Sequence, residues 1–258
     1  MINLYLNKSL AVRSPLYGVS QTLGFFYLGG YYMKTAILVD GGYYRKKAYS
    51  AFGDLDPKER ADELYAYCKR HLIEKKNHIE TFDHELYRIF YYDCSPSSKK
   101  IYHPILDRTI DLSKSNIYDW TINFFEELSR KRKVALRLGM LSDNNAHYNL
   151  KADITKKIVK GTKRVSDLTE ADFAIQIDQK GVDMKIGLDI ASLSYKHQVE
   201  QIVLIAGDSD FVPAAKLARR EGIDFILDPL GANIKKELSI HIDGLRTCDN
   251  AFKHRNTN

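Results

Sequence analysis

Ala36-Ile37-Leu38-Val39-Asp40-Gly41-Gly42 and Ile202-Val203-Leu204-Ile205-Ala206-Gly207-Asp208-Ser209-Asp210 are the two stretches on which the fold turns. Each is a short, unbroken apolar run closed by aspartate and glycine. A run with no polar alternation reads as a strand covered on both faces, the habit of parallel sheets. Working outward, further β-rich runs lie at 86–92, 134–138 and 223–227, and longer helical patterns at 57–75, 118–132, 183–197 and 211–221 separate most of them. Connections of that length are too long for hairpins and sufficient for crossovers between parallel strands. The expected fold class is therefore α/β, a mainly parallel sheet with both faces covered.

The 258 residues are enough for one large domain, and 44% hydrophobic against 28% charged residues leaves an ample core. A net charge of +6 suits a polyanionic partner without demonstrating one. Cys68, Cys94 and Cys248 lie in distant segments, so neither a disulfide framework nor a CxxC zinc site is available, and a cytoplasmic protein is expected. No apolar stretch reaches membrane-spanning length. Residues 1–32 carry no helical or alternating period, whereas Met33-Lys34-Thr35 runs straight into the first strand. Residues 1–32 are therefore read as a translated leader or extension preceding a domain at 33–258. A genuine arm packing Phe25, Phe26 and Tyr27 on the domain is the alternative.

Two segments read as loops or insertions. Residues 94–117 are rich in Ser, Lys, Pro and Asp, and 142–170 are more basic. Between 150 and 165, Lys151, Lys156, Lys157, Lys160, Lys163 and Arg164 face only Asp153, an attraction for polyphosphate if the loop is more than a solvated one.

In open parallel sheets the functional crevice lies beyond the carboxyl ends of the strands. Two strands here deliver aspartate to that edge: Asp40 from the first, and Asp208 with Asp210 from the later one. Any one of these reads as a helix N-cap when taken alone. Several carboxylates crowded at one sheet end repel one another and raise each other's pKa unless a cation neutralises them. Carboxylate oxygens without a Cys or His cluster select a hard ion, Mg²⁺ or Mn²⁺. Asp183 is expected at a helix start, where its charge complements the dipole. Asp189 lies six residues on, about 240° around an ideal helix, so both cannot enter one small site.

Leu38-Val39-Asp40-Gly41-Gly42-Tyr43-Tyr44, then Lys180-Gly181-Val182-Asp183 with Asp189, then Ala206-Gly207-Asp208-Ser209-Asp210-Phe211 resemble the three signature blocks of NYN domains. These are PIN-like nucleases, and the pattern is most similar to their bacterial LabA-like branch over roughly 34–252. The resemblance implies a three-layer α/β/α sandwich and metal-dependent ribonuclease activity. It places metal ligation on Asp40, Asp208 and Asp210, and a further acidic role on Asp183 or Asp189. Many members have asparagine shortly after the first aspartate, where this chain has Gly42-Tyr43.

On this reading Asp40, Asp183, Asp208 and Asp210 are the catalytic acids of an RNA phosphodiester hydrolase, and a homo-oligomer stays open. Lys180, Lys185, Ser209, Gly41, Gly42, Lys157 and Lys160 are the candidate substrate contacts. Each also has a plainer reading, as a solvated lysine or a turn residue. Gly41-Gly42 allows close backbone approach to phosphate or answers a turn that demands positive φ. A phosphatase with an aspartate nucleophile fails at Gly42, where a second acid is needed. A regulatory module that binds RNA or protein without turnover is the rival from another class. Trp120, in register with Phe124, Phe125 and Leu128, is expected to face the core.

Overall fold

The computed structural model describes residues 32–76, 79–81 and 84–252. Apart from Tyr32, the expected leader lies outside the described residues. In chain order the elements are β1 (Met33–Asp40), α1 (Gly41–Phe52), α2 (Pro57–Arg70), β2 (Glu74–Lys76), β3 (Ile79–Thr81), β4 (His84–Cys94), β5 (Lys100–His103), β6 (Arg108–Asp111), α3 (Asn116–Ser129), β7 (Val134–Leu150), α4 (Ala152–Val159), β8 (Phe173–Lys180), α5 (Val182–Tyr195), β9 (Gln201–Ile205), α6 (Val212–Arg220), β10 (Asp224–Asp228), α7 (Lys236–Ser239) and β11 (Gly244–Leu245).

The main sheet has the order β11-β10-β9-β1-β4-β7-β8. Its first six strands run parallel and β8 runs antiparallel to β7. The chain begins at the centre with β1, builds outward through β4 and β7, then returns to lay β9 on the other side of β1. The strand order therefore reverses at β1, the topological switch point where open α/β sheets open a crevice.

The unbroken apolar run of β1 serves two cores at once, because alternate side chains leave opposite faces of a strand. Ala36 and Leu38 pack with Ile186, Ile190 and Ala215 of α5 and α6. Ile37 and Val39 pack with Tyr44, Leu64 and Phe124 of α1, α2 and α3. All four residues of the run are fully buried, which stabilises the fold by roughly 1.5–3 kcal/mol for each of the larger side chains. The expected covered, mainly parallel sheet is present as a three-layer sandwich.

Several local expectations need correction. α1 was not anticipated, since two glycines at its start read as a turn; Asp40 caps it and its buried face holds it in place. α2 begins where Pro57 and the Asp56–Glu59 capping box direct, but ends at Arg70 rather than 75. The expected loop at 94–117 contains the β5–β6 hairpin. The expected loop at 142–170 is instead the continuation of β7 into an arm paired with β8 and tipped by α4. β8 escaped notice although Phe173, Ile175 and Ile177 alternate with Ala174, Gln176 and Asp178; it is an edge strand, and Ile175 is exposed. No helix among the described residues is long and apolar enough to cross a membrane.

Candidate active site

β1 and β9 pair in parallel through Val39 and Ile205, so Asp40 follows one step beyond that pair and Asp208 three steps beyond it. Both aspartates also act as caps. Asp40 accepts a hydrogen bond from the Tyr43 N–H at 3.1 Å, and Asp208 accepts one from the Asp210 N–H at 3.1 Å. A cap engages one carboxylate oxygen and leaves the other free, so capping and ligation are compatible. Asp183 stands in the first turn of α5, directly after Gly181, whose φ of 83° turns the chain off β8.

The electrostatics tie these four residues together. The Asp40 carboxyl is pushed up to about 6, chiefly by burial, with the Tyr43 N–H opposing and the charges of Asp183 and Asp93 adding to the rise. Asp183 is also raised, first by partial burial and then by the charges of Asp208 and Asp210. Among the described residues no lysine or arginine forms an ion pair with any of the four. Asp183 and Asp210 line one cleft of about 390 Å³ together with Met184, Phe211 and Pro213.

Asp189 is not part of this group. Its carboxylate accepts from the Tyr92 hydroxyl at 2.8 Å and pairs with Arg137 at 3.1 Å, which satisfies it on the β4–β7 side. Ser209 accepts a hydrogen bond from Lys235 Nζ at 3.1 Å, bringing a cation to the rim of the turn that carries Asp208 and Asp210. Lys180 and Lys185 are exposed. Lys157 pairs with Asp153 at 3.5 Å, and Lys160 lies exposed at the end of α4. Gly41 is required by packing: a Cβ there would meet the Tyr91 ring at 2.5 Å and the Tyr92 carbonyl at 2.6 Å. Neither Gly41 nor Gly42 has positive φ.

Three neighbours escaped the sequence reading. Asp93 stands one residue before the end of β4, but its carboxylate is fully buried and neutralised by Arg45, with contacts of 3.0 Å from Nε and from Nη2. Burial raises Asp93 and the guanidinium opposes that rise. Tyr43 donates its hydroxyl to the Pro229 carbonyl at 2.5 Å, and its ring lies where a Cβ on Gly207 would stand. It thereby clamps the loops after β1, β9 and β10 together. Lys235 is the third. Of these, Asp93 alone left a sequence signal, a third aspartate near a strand end.

The donor set suits a hard divalent cation: four carboxylates without an ion-pair partner among the described residues, with Asp40 and Asp183 made weaker acids by burial and by neighbouring negative charge. Among the described residues no three His, Cys, Asp or Glu side chains already stand in chelating geometry.

Fold and site together define a Rossmann-like α/β domain with an acidic centre at its topological switch point. The family model described as NYN domain matches residues 123–239 of this chain. The family is in general one of nucleases. The match takes in Asp183, Asp208 and Asp210, while β1 with Asp40 precedes it. A solved structure, that of a protein of unknown function from Vibrio parahaemolyticus RIMD 2210633, aligns at 13% identity with a TM-score of 0.45, over 86% of this chain and 96% of that one. No curated protein matches the chain.

Proposed function

We propose that the protein is a metal-dependent ribonuclease that hydrolyses RNA phosphodiester bonds at the sheet edge formed by β1 and β9. The observation that carries this reading is the set of four carboxylates without an ion-pair partner among the described residues, Asp40, Asp183, Asp208 and Asp210, of which Asp40 and Asp183 have their pKa raised by burial and by neighbouring carboxylates. Asp40, Asp208 and Asp210 would hold Mg²⁺ or Mn²⁺, with Asp183 completing the ring or ordering water. A divalent ion bound there supplies charge neutralisation at the phosphate and lowers the pKa of an attacking water.

The chain's own residues do the rest. The Tyr43 N–H fixes one oxygen of Asp40, and the Asp210 N–H fixes one of Asp208, so each carboxylate presents its other oxygen in a set direction. Lys235, beside Ser209, is placed to meet a phosphate oxygen at the rim. The β7–β8 arm leaves the sheet on the carboxyl-end side, and its extended chain from Met140 to Leu150 spans at most about 35 Å. Of the basic residues near its tip, Lys157 and Lys163 are paired with Asp153 and Asp172. The exposed Lys156, Lys160 and Arg164 remain to attract RNA.

Purified protein is incubated with mixed RNA and DNA in Mg²⁺, Mn²⁺ or EDTA, beside Asp208→Asn. RNA cutting that needs the metal and is lost in the variant is expected. RNA affinity without cutting, unchanged by Asp208→Asn, would instead establish the binding module and reject the enzyme.

A further inference from the structure

A cavity of about 360 Å³ lies between α1 and α3, lined by Tyr49, Asp54, Asn116, Ile117 and Trp120, with Arg45 at one end. That volume falls within the range of small-ligand sites. A second cavity of about 270 Å³ shares Arg45 and Ile117 with it and runs to Cys94 and Ser95, at the carboxyl end of β4. The two cavities thus meet at Arg45 and Ile117. Asp40 caps α1, and Arg45 and Tyr49 follow along it, about 8 and 14 Å down the helix axis.

We propose that this cavity receives an unpaired nucleobase of the RNA bound at the acidic edge; the assignment rests on the ribonuclease reading. The charges exclude an anion as its occupant. Arg45 is already neutralised by Asp93, and Arg60, which also reaches the cavity, by Glu63. What remains is an aromatic and aliphatic wall with a polar rim, complementary to an uncharged ring with a hydrogen-bonding edge. The exposed side chains of Asp54 and Asn116 have no partner among the described residues and are free to read that edge.

Trp120 is held ready. Its Nε1 donates to the Leu55 carbonyl at 3.0 Å, and its ring stacks on Phe124 with centroids 5.2 Å apart. The expected core-facing tryptophan therefore has a second role, as a fixed wall of the cavity. A base within a duplex is stacked and paired on both sides and cannot enter, so the site selects single strands.

The test uses the fact that Trp120 is the chain's one tryptophan. The whole protein, in EDTA to prevent turnover, is titrated with single-stranded oligouridylate, single-stranded oligoadenylate and an RNA duplex. Tryptophan emission is followed in one series, and anisotropy of end-labelled RNA in another. Single strands should change Trp120 emission saturably and the duplex should not. Tyr49→Ala and Ile117→Glu, both at exposed positions, should each weaken single-strand binding by about tenfold. RNA that binds with Trp120 emission unmoved, and with both variants at wild-type affinity, overturns the cavity assignment while the nuclease reading stands. A saturable Trp120 response without metal-dependent cutting sustains the cavity and sinks the nuclease. Absence of RNA binding in both series overturns the cavity assignment.

Discussion

Asp40→Asn should make the metal-free protein more stable, although it removes a residue placed at the centre of the proposed chemistry. The folded environment raises the Asp40 carboxyl from 3.8 to about 6, chiefly by burial. That shift corresponds to a cost of about 3 kcal/mol for keeping the group ionised. A raised acid is penalised only once it is charged. The cost is absent below pH 3.8, grows as the pH climbs through the interval to about 6, and is constant above it. Asparagine caps a helix as well as aspartate does, so the bond from the Tyr43 N–H survives the change. At a pH of about 7.5 in EDTA the variant should therefore gain up to about 3 kcal/mol, a rise in Tm of roughly 6–12 °C for a chain of this size. At a pH of about 3.5 the two proteins should coincide. A divalent ion at about a hundred times its Kd adds about 2.7 kcal/mol to a protein that binds it. Mg²⁺ should accordingly close the gap by stabilising the wild type alone. Urea unfolding followed by Trp120 fluorescence, at both pH values with and without Mg²⁺, measures all four quantities. A variant less stable than wild type in EDTA at the higher pH, or one whose advantage persists at the lower, would refute the account of Asp40 as a strained carboxylate.

Arg45→Met should leave the fully buried Asp93 carboxylate without its partner and cost about 3 kcal/mol in urea unfolding, with most of the loss recovered when Asp93→Asn is added. Gly207→Ala drives a Cβ into the Tyr43 ring, which Pro229 pins through the hydroxyl, so a loss of about 1–3 kcal/mol is expected. The double variant with Tyr43→Ala should lose less than the sum of the single changes, as a thermal-melt cycle will show. His71 is buried, which alone would lower its pKa, but the Asp228 carboxylate at 2.9 Å and Cys248 together more than offset this and the net shift is upward. Wild type should then exceed His71→Gln in stability most clearly below pH 6.5. That part of the advantage should fade as the pH rises through the elevated folded value, in chemical denaturation across a pH series.

Asp40 and Asp208 were legible because each closes an apolar run that no other reading explains, and a strand end in a parallel sheet is a fixed address. Asp93 lies within one residue of such an address, yet its neutralisation by Arg45 depends on α1 folding back beside β4, a contact between residues 48 apart. α1 itself was hidden by Gly41, and the reason for that glycine is the Tyr91 ring pressed against it, again a fact about another strand. The spacing of Asp183 and Asp189 was enough to show that they diverge. Choosing between them needed the antiparallel β8, which runs back toward the sheet edge and sets α5 down with its first turn among the acids. Asp189, further along α5, meets Arg137 of β7 instead. Local pattern thus locates the ends of strands, whereas the sign of the charge that each end meets is decided by crossovers. Asp40 and Asp183 differ from Asp93 in that no cation stands among the groups that shift them: burial and neighbouring carboxylates raise both.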